Sequence, residues 1–116
     1  MKAISLHQPW ASMIASGEKT IETRNWPTSY RGELLIVSTK KPVVDDLPLG
    51  MALCVVTLVD CFCMTKADEP EACCEVYLGA WAWWLQDVRV LKKPFPVRGS
   101  QGFYEVESEL ICQALT

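Results

Sequence analysis

Apolar residues along the chain fall into short runs broken by polar punctuation, and no stretch keeps a helical period for long. Lys2 to Leu6 reads as a short strand. From Pro9 to Ser16 the spacing changes. Trp10, Met13 and Ile14 stand at i, i+3 and i+4, Pro9 suits a first helical position, and Gly17 falls where a helix end wants positive φ. The pattern predicts one or two helical turns. Lys19 to Arg24 returns to alternating, β-favouring residues and predicts a second strand, followed by a loop from Asn25 to Gly32. Glu33 to Thr39 carries Leu-Leu-Ile-Val, dense enough for a buried strand. Lys40 to Gly50 is irregular, and Met51 to Met64 is the longest strand candidate. Thr65 to Cys74 reads as an acidic loop or short helix, and Trp81 to Leu91 and Gly102 to Val106 supply the last strands. Many short strands with one helix near the N-terminus predict an α+β domain built on a small, mostly antiparallel β-barrel.

Composition narrows the class. Half of the 116 residues are apolar and 22% are charged, the balance of a globular protein with a real core. No apolar run approaches the roughly 18 residues of a membrane span, and the longest is interrupted by Asp60. The N-terminus shows no apolar core of signal-peptide length, so the expectation is a cytoplasmic, membrane-free monomer. In that setting the six cysteines are expected as free thiols. Cys61-x-Cys63 and Cys73-Cys74 lack the paired Cys-x-x-Cys spacing of structural zinc, and Cys54, Cys61 and Cys63 sit among Val and Leu as small hydrophobes. Neither a metal nor a cofactor is expected.

A net charge of −3 argues against bulk electrostatic coating of nucleic acid, but the charge is unevenly placed. Residues 1–41 hold six Lys/Arg against three Glu, and residues 42–116 hold five against eleven acids, which directs an anionic ligand to the N-terminal part. There, Gly17-Glu-Lys-Thr-Ile-Glu-Thr-Arg24 crowds four charges into one strand. Alternation places Thr20, Glu22 and Arg24 on one face and Ile21 and Thr23 on the other, with Lys19 at the strand's mouth. Two cations around a carboxylate receive a phosphate or carbonyl while the carboxylate accepts hydrogens from an amino group, which is what a nucleotide or modified base presents. The same pattern suits a solvated edge strand whose Glu22 pairs with Arg24 or Lys19. Gln8, Trp10, Trp26 and Ser38 are candidates for the same neighbourhood. Trp26, in a loop, is the better stacking residue, whereas the apolar helix face draws Trp10 to the core. His7 has no Ser or Cys partner nearby and is at most site-lining, and Trp81, Trp83 and Trp84 read as barrel packing.

Ser5-Leu-His-Gln-Pro-Trp-Ala11 followed by Gly17-x-Lys19-x-x-Glu22-x-Arg24-x-Trp26 closely resembles the signature of the ASCH domain (activating signal cointegrator homology). The resemblance continues through Tyr30 to Lys41, in Trp84-Leu-x-x-Val-Arg-x-Leu91 and in Pro94 to Gly102, leaving residues 65–78 and the C-terminal tail unmatched. It implies a single ASCH domain over residues 1–116 with a PUA-like barrel, and a cleft beside the barrel that gathers Lys19, Glu22 and Arg24. The implied partner is RNA or a modified nucleoside or nucleotide. One branch of the family hydrolyses acetylated cytidine with a Lys, a Thr two or three positions on and a distant Glu, and other members are described as ribonucleases. Here Glu22 stands where that branch has its Thr, with Thr20 and Thr23 flanking it. If the chain is an enzyme, Lys19 and Glu22 are its expected catalytic pair, with Glu22 as general base on water.

Overall fold

The computed structural model describes all of residues 1–116. In chain order it forms β1 (Lys2–Leu6), α1 (Trp10–Ala15), β2 (Ile21–Arg24), β3 (Gly32–Ser38) and β4 (Met51–Cys63). A 3-10 turn, Lys66–Asp68, then leads into α2 (Glu69–Ala72), followed by β5 (Trp81–Pro96), β6 (Tyr104–Glu105) and α3 (Ser108–Leu115). The strands make one mixed sheet in the order β2-β5-β4-β3-β1-β6. β1 and β3 are parallel, and every other pair is antiparallel.

The sheet corrects the expectation of a barrel. Its two outer strands, β2 and β6, have four and two residues, and no ladder joins them. The fold, one mixed sheet with a few short helices, is nevertheless consistent with the PUA-like arrangement that the resemblance implies. The start of β2 is protected by α2 rather than by another strand: the Thr20 N–H donates to the Glu71 carbonyl at 2.9 Å.

Alternation along the strands creates two cores. Ile4, Leu6, Leu34, Ile36, Val56, Leu58, Trp83 and Leu85 face Ala11 and Ile14 of α1. On the opposite face, Ala3, Leu35, Val37, Val55 and Leu91 pack beneath Ile111 and Ala114 of α3. A smaller cluster joins Ile21 of β2 and Ala82 of β5 to Met64, Ala80 and Ala72. Trp83 is fully buried, Trp81 packs beside it, and Trp84 turns to the small cluster, so all three serve packing without a barrel.

Three other elements differ from expectation. β5 runs on to Pro96, because its second edge is free beyond the short β2 and proline there leaves no ladder donor missing. The terminal strand shrinks to Tyr104–Glu105. The C-terminal tail folds as α3, which covers the second core. No helix is long and apolar enough to cross a membrane.

Candidate functional site

The turn between α1 and β2 places the first cation. β2 begins at Ile21, so Lys19 belongs to the turn and not to the strand. Gly17 takes φ +85°, its N–H donates to the Ile14 carbonyl at 3.0 Å, and the Lys19 N–H donates to the Met13 carbonyl at 3.0 Å. The backbone of Lys19 is thereby tied to the last turn of α1, and its side chain enters the interior, only 2% exposed. Its ammonium donates to the Ala72 carbonyl at the end of α2, lies 3.8 Å from Glu22 Oε1, and sits 5.2 Å from the centre of the Trp10 ring.

Glu22 follows from the register of β2. It is paired with Trp83 and so shares that residue's face, while Ile21 belongs to the small cluster on the other side. Glu22 is 8% exposed, and its carboxylate stands between two cations, Lys19 at 3.8 Å from Oε1 and Arg24 Nη1 at 3.5 Å from Oε2. Burial pushes the Glu22 carboxyl above its ordinary range, against the opposing pull of Lys19 and Arg24. The chain therefore brings Lys19, Glu22 and Arg24 together as ion pairs, and the burial of Lys19 and Glu22 excludes a solvated edge strand.

A cleft of about 240 Å³ opens onto Lys19 and Glu22 of this triad. The N-terminal segment contributes Trp10, Lys19, Glu22 and Thr23, and the segment after α2 contributes Cys74, Glu75 and Tyr77. The second wall is held by Glu69, whose Oε2 accepts the Val76 N–H at 2.8 Å, and by Cys73 in the left-handed conformation at φ +56°. The Thr23 hydroxyl is committed to sulfur, donating to Met64 Sδ at 3.4 Å and lying 3.3 Å from Cys74 Sγ. Sequence reasoning did not single out Cys74, Glu75 or Tyr77 as cleft residues. They lie in the acidic stretch that matches no motif, and only tertiary folding brings them to Lys19.

The remaining candidates are placed elsewhere. Gln8 is buried, and its amide is consumed internally: Nε2 donates to Ser12 Oγ and the Pro48 carbonyl, both at 2.8 Å, and Oε1 accepts the Ser12 N–H at 2.9 Å. It fastens α1 to the 39–50 loop. Ser38 is buried too, accepting from the Met51 N–H at 3.2 Å, and lines a different cavity. Arg24 reaches from Glu22 into a neighbouring cavity of about 530 Å³, shared with His7, Asn25 and Trp26. The two tryptophans exchange emphasis relative to expectation. Trp26 is wedged edge-on against Trp83 (4.7 Å, 86°) and Phe103 (5.6 Å, 85°), and its carbonyl accepts from Trp83 Nε1 at 3.2 Å. Trp10, partly buried like Trp26, lines the cleft wall and stands outside the main core cluster.

Comparison with known proteins places this geometry. Over 92% of the chain, the sequence is 27% identical to mouse Activating signal cointegrator 1 and 28% identical to the human protein, and it spans only 22% of the length of either. The structure superimposes on the crystal structure of ASCH from Zymomonas mobilis with a TM-score of 0.72, covering 98% of this chain and 92% of that one at 21% identity. A point mutant of the same Zymomonas mobilis protein gives 0.68 at 18% identity, covering 97% and 94%. The model of the ASCH domain matches residues 4–95, a span that takes in both strands of the triad's ladder and most of the sheet, and the chain belongs to the ASCH domain family.

Proposed function

We propose that the cleft binds a nucleoside-like group or one unit of a single-stranded RNA, as the family resemblance implies. The observation that carries this is a buried carboxyl held between two cations, 3.8 and 3.5 Å away, with Lys19 and Glu22 at the foot of a cleft that has the partly exposed Trp10 indole on its wall. Lys19 offers a donor to a carbonyl or phosphate, with Arg24 on the far side of Glu22, Glu22 faces the hydrogens of a base edge, and Trp10 offers a stacking face. NMR titration with cytidine, uridine and short RNAs tests it. Shifts centred on the Lys19–Arg24 amides are expected, and shifts elsewhere with these amides unmoved would relocate the site.

Hydrolysis is the second reading, favoured by one observation: Glu75 lines the same cleft as Lys19, Glu22 and Thr23, so two carboxyls and a lysine share one chamber. Incubation with acetylcytidine and with labelled RNA, for wild type and Lys19→Ala, separates the two. Turnover that depends on Lys19 establishes an enzyme, and no turnover of either substrate leaves a binding cleft.

A further inference from the structure

Beyond Arg24 the surface continues as a groove. The cavity beside Arg24 and Trp26 and a second one of about 410 Å³ share Ser5, Thr39, Ser100 and Gln101 in their walls. The second adds Lys40 and Arg98. No carboxylate lines either cavity, although the chain as a whole carries a net charge of −3. Lys2, Arg31 and Arg89 each pair with an acid, but Lys40 and Arg98 are exposed and take part in no salt bridge.

The walls are shaped by close backbone approach. Gly50, at φ +68°, lies under the stem of Lys40: a Cβ there would stand 3.0 Å from Lys40 Cγ. A Cβ at Gly99 would meet Ser5 Oγ at 2.5 Å, so only glycine lets the 97–102 loop lie against β1. Ser5 is fixed in turn by a 2.6 Å hydrogen bond with the Tyr104 hydroxyl, and Thr39 by a 3.0 Å contact with His7 Nδ1. The groove thus presents hydroxyls, an amide and two cations free of salt bridges.

We infer that this groove holds backbone phosphates of a single-stranded RNA whose base occupies the Lys19–Glu22 cleft, with Arg24 at the junction. The inference rests on the proposed function and specifies its ligand as an oligonucleotide and not a free nucleoside. Donors and cations without a competing carboxylate are the chemistry of phosphodiester binding, and each phosphate neutralised adds about 0.7 to the salt slope for single strands.

The test compares wild type with the Lys40→Gln/Arg98→Gln double variant, using a fluorescently labelled mixed-sequence RNA pentamer, free cytidine and a phosphate-free Glu decapeptide. For the double variant, pentamer affinity should fall by about tenfold or more, and the slope of log K against log salt should drop by about 1.4. Cytidine-induced shifts at Lys19–Arg24 should be unchanged, and Lys40→Arg/Arg98→Lys should restore the salt slope. Wild-type pentamer affinity and slope in the double variant, with weakened binding in Lys19→Ala or Trp10→Ala, would overturn the groove and leave the cleft. No binding of pentamer or cytidine by wild type would overturn both. Equal binding of the Glu decapeptide, lost in the same double variant, would make the groove a general acidic-peptide site and overturn the phosphate assignment.

Discussion

Glu22 stands directly across from Trp83 in the β2–β5 ladder, so a carboxyl is held on the same face of the sheet as the largest fully buried side chain in the protein. That pairing explains why its environment resists ionisation despite two nearby cations. It also determines how the site responds to pH. The native state keeps the Glu22 proton to higher pH than the unfolded chain, whose glutamate titrates near 4.5. The stability this group contributes is therefore full below about pH 4.5 and is lost as pH rises through the raised native value. Glu22→Gln cannot ionise, so urea denaturation should show it gaining on wild type as pH rises above about 4.5. The opposite slope would mean that Lys19 and Arg24 outweigh burial.

Lys19 should matter to folding as well as to binding. Its ammonium satisfies the Ala72 carbonyl and faces Glu22 inside the protein. Lys19→Met keeps the stem but orphans both partners, and a loss of about 1–3 kcal/mol is expected from chemical denaturation at neutral pH. A change within experimental error would mean that water replaces the ammonium without cost.

The two tryptophans of the signature should separate stability from binding. Trp26 makes edge contacts with Trp83 and Phe103, so Trp26→Ala is expected to cost about 2–4 kcal/mol. Trp10→Ala should leave the melting temperature nearly unchanged and weaken a stacked base by about 1–3 kcal/mol. Reversed outcomes would return Trp10 to the core and Trp26 to the ligand.

Gln8 should act through the loop it fastens. Gln8→Ala leaves the Ser12 N–H and the Pro48 carbonyl without their partner, and a cost of about 1–3 kcal/mol is expected. Hydrogen exchange should then rise at Ser12 and across the 39–50 loop, and unchanged protection there would deny the fastening role.

The cysteines should react in an order set by burial. Burial raises the Cys54 thiol to about 12, whereas Cys63 and Cys112 are exposed. Iodoacetamide at about pH 8 should label Cys63 and Cys112 in the native protein and reach Cys54 only on unfolding, as read by mass spectrometry of peptides. Early labelling of Cys54 would contradict the packing of β4.

The charged segment was legible in the sequence because its chemistry is local. Glu22 and Arg24 are two residues apart on one strand, and Gly17 marks the turn that delivers Lys19. The opposing wall was not legible: Cys74, Glu75 and Tyr77 have no periodicity of their own and reach Lys19 only through the contacts of α2. α3 escaped notice because only Ile111 and Ala114 are buried along its eight residues, while Leu110 remains exposed and blurs the apolar stripe. A closed barrel was inferred from the number of strands, whereas closure depends on the lengths of the outermost two, β2 and β6. The roles of Trp10 and Trp26 turned on which aromatic ring found others to pack against, and Phe103, 77 residues from Trp26, decided it.

Arg24 lines one chamber and touches, through Glu22, the residue that floors the other. Its guanidinium touches the Glu22 carboxylate at one 3.5 Å contact and also borders the cavity that runs on to Ser5 and Thr39. A ligand that takes up the Glu22 carboxylate loosens its contact with Arg24 and so leaves the guanidinium less neutralised on the far side. Thermodynamic reciprocity then requires that occupancy of either chamber alter the affinity of the other by the same factor. One side chain makes the two compartments a linked pair, so that the strength of an oligonucleotide's grip is not the sum of its parts measured separately.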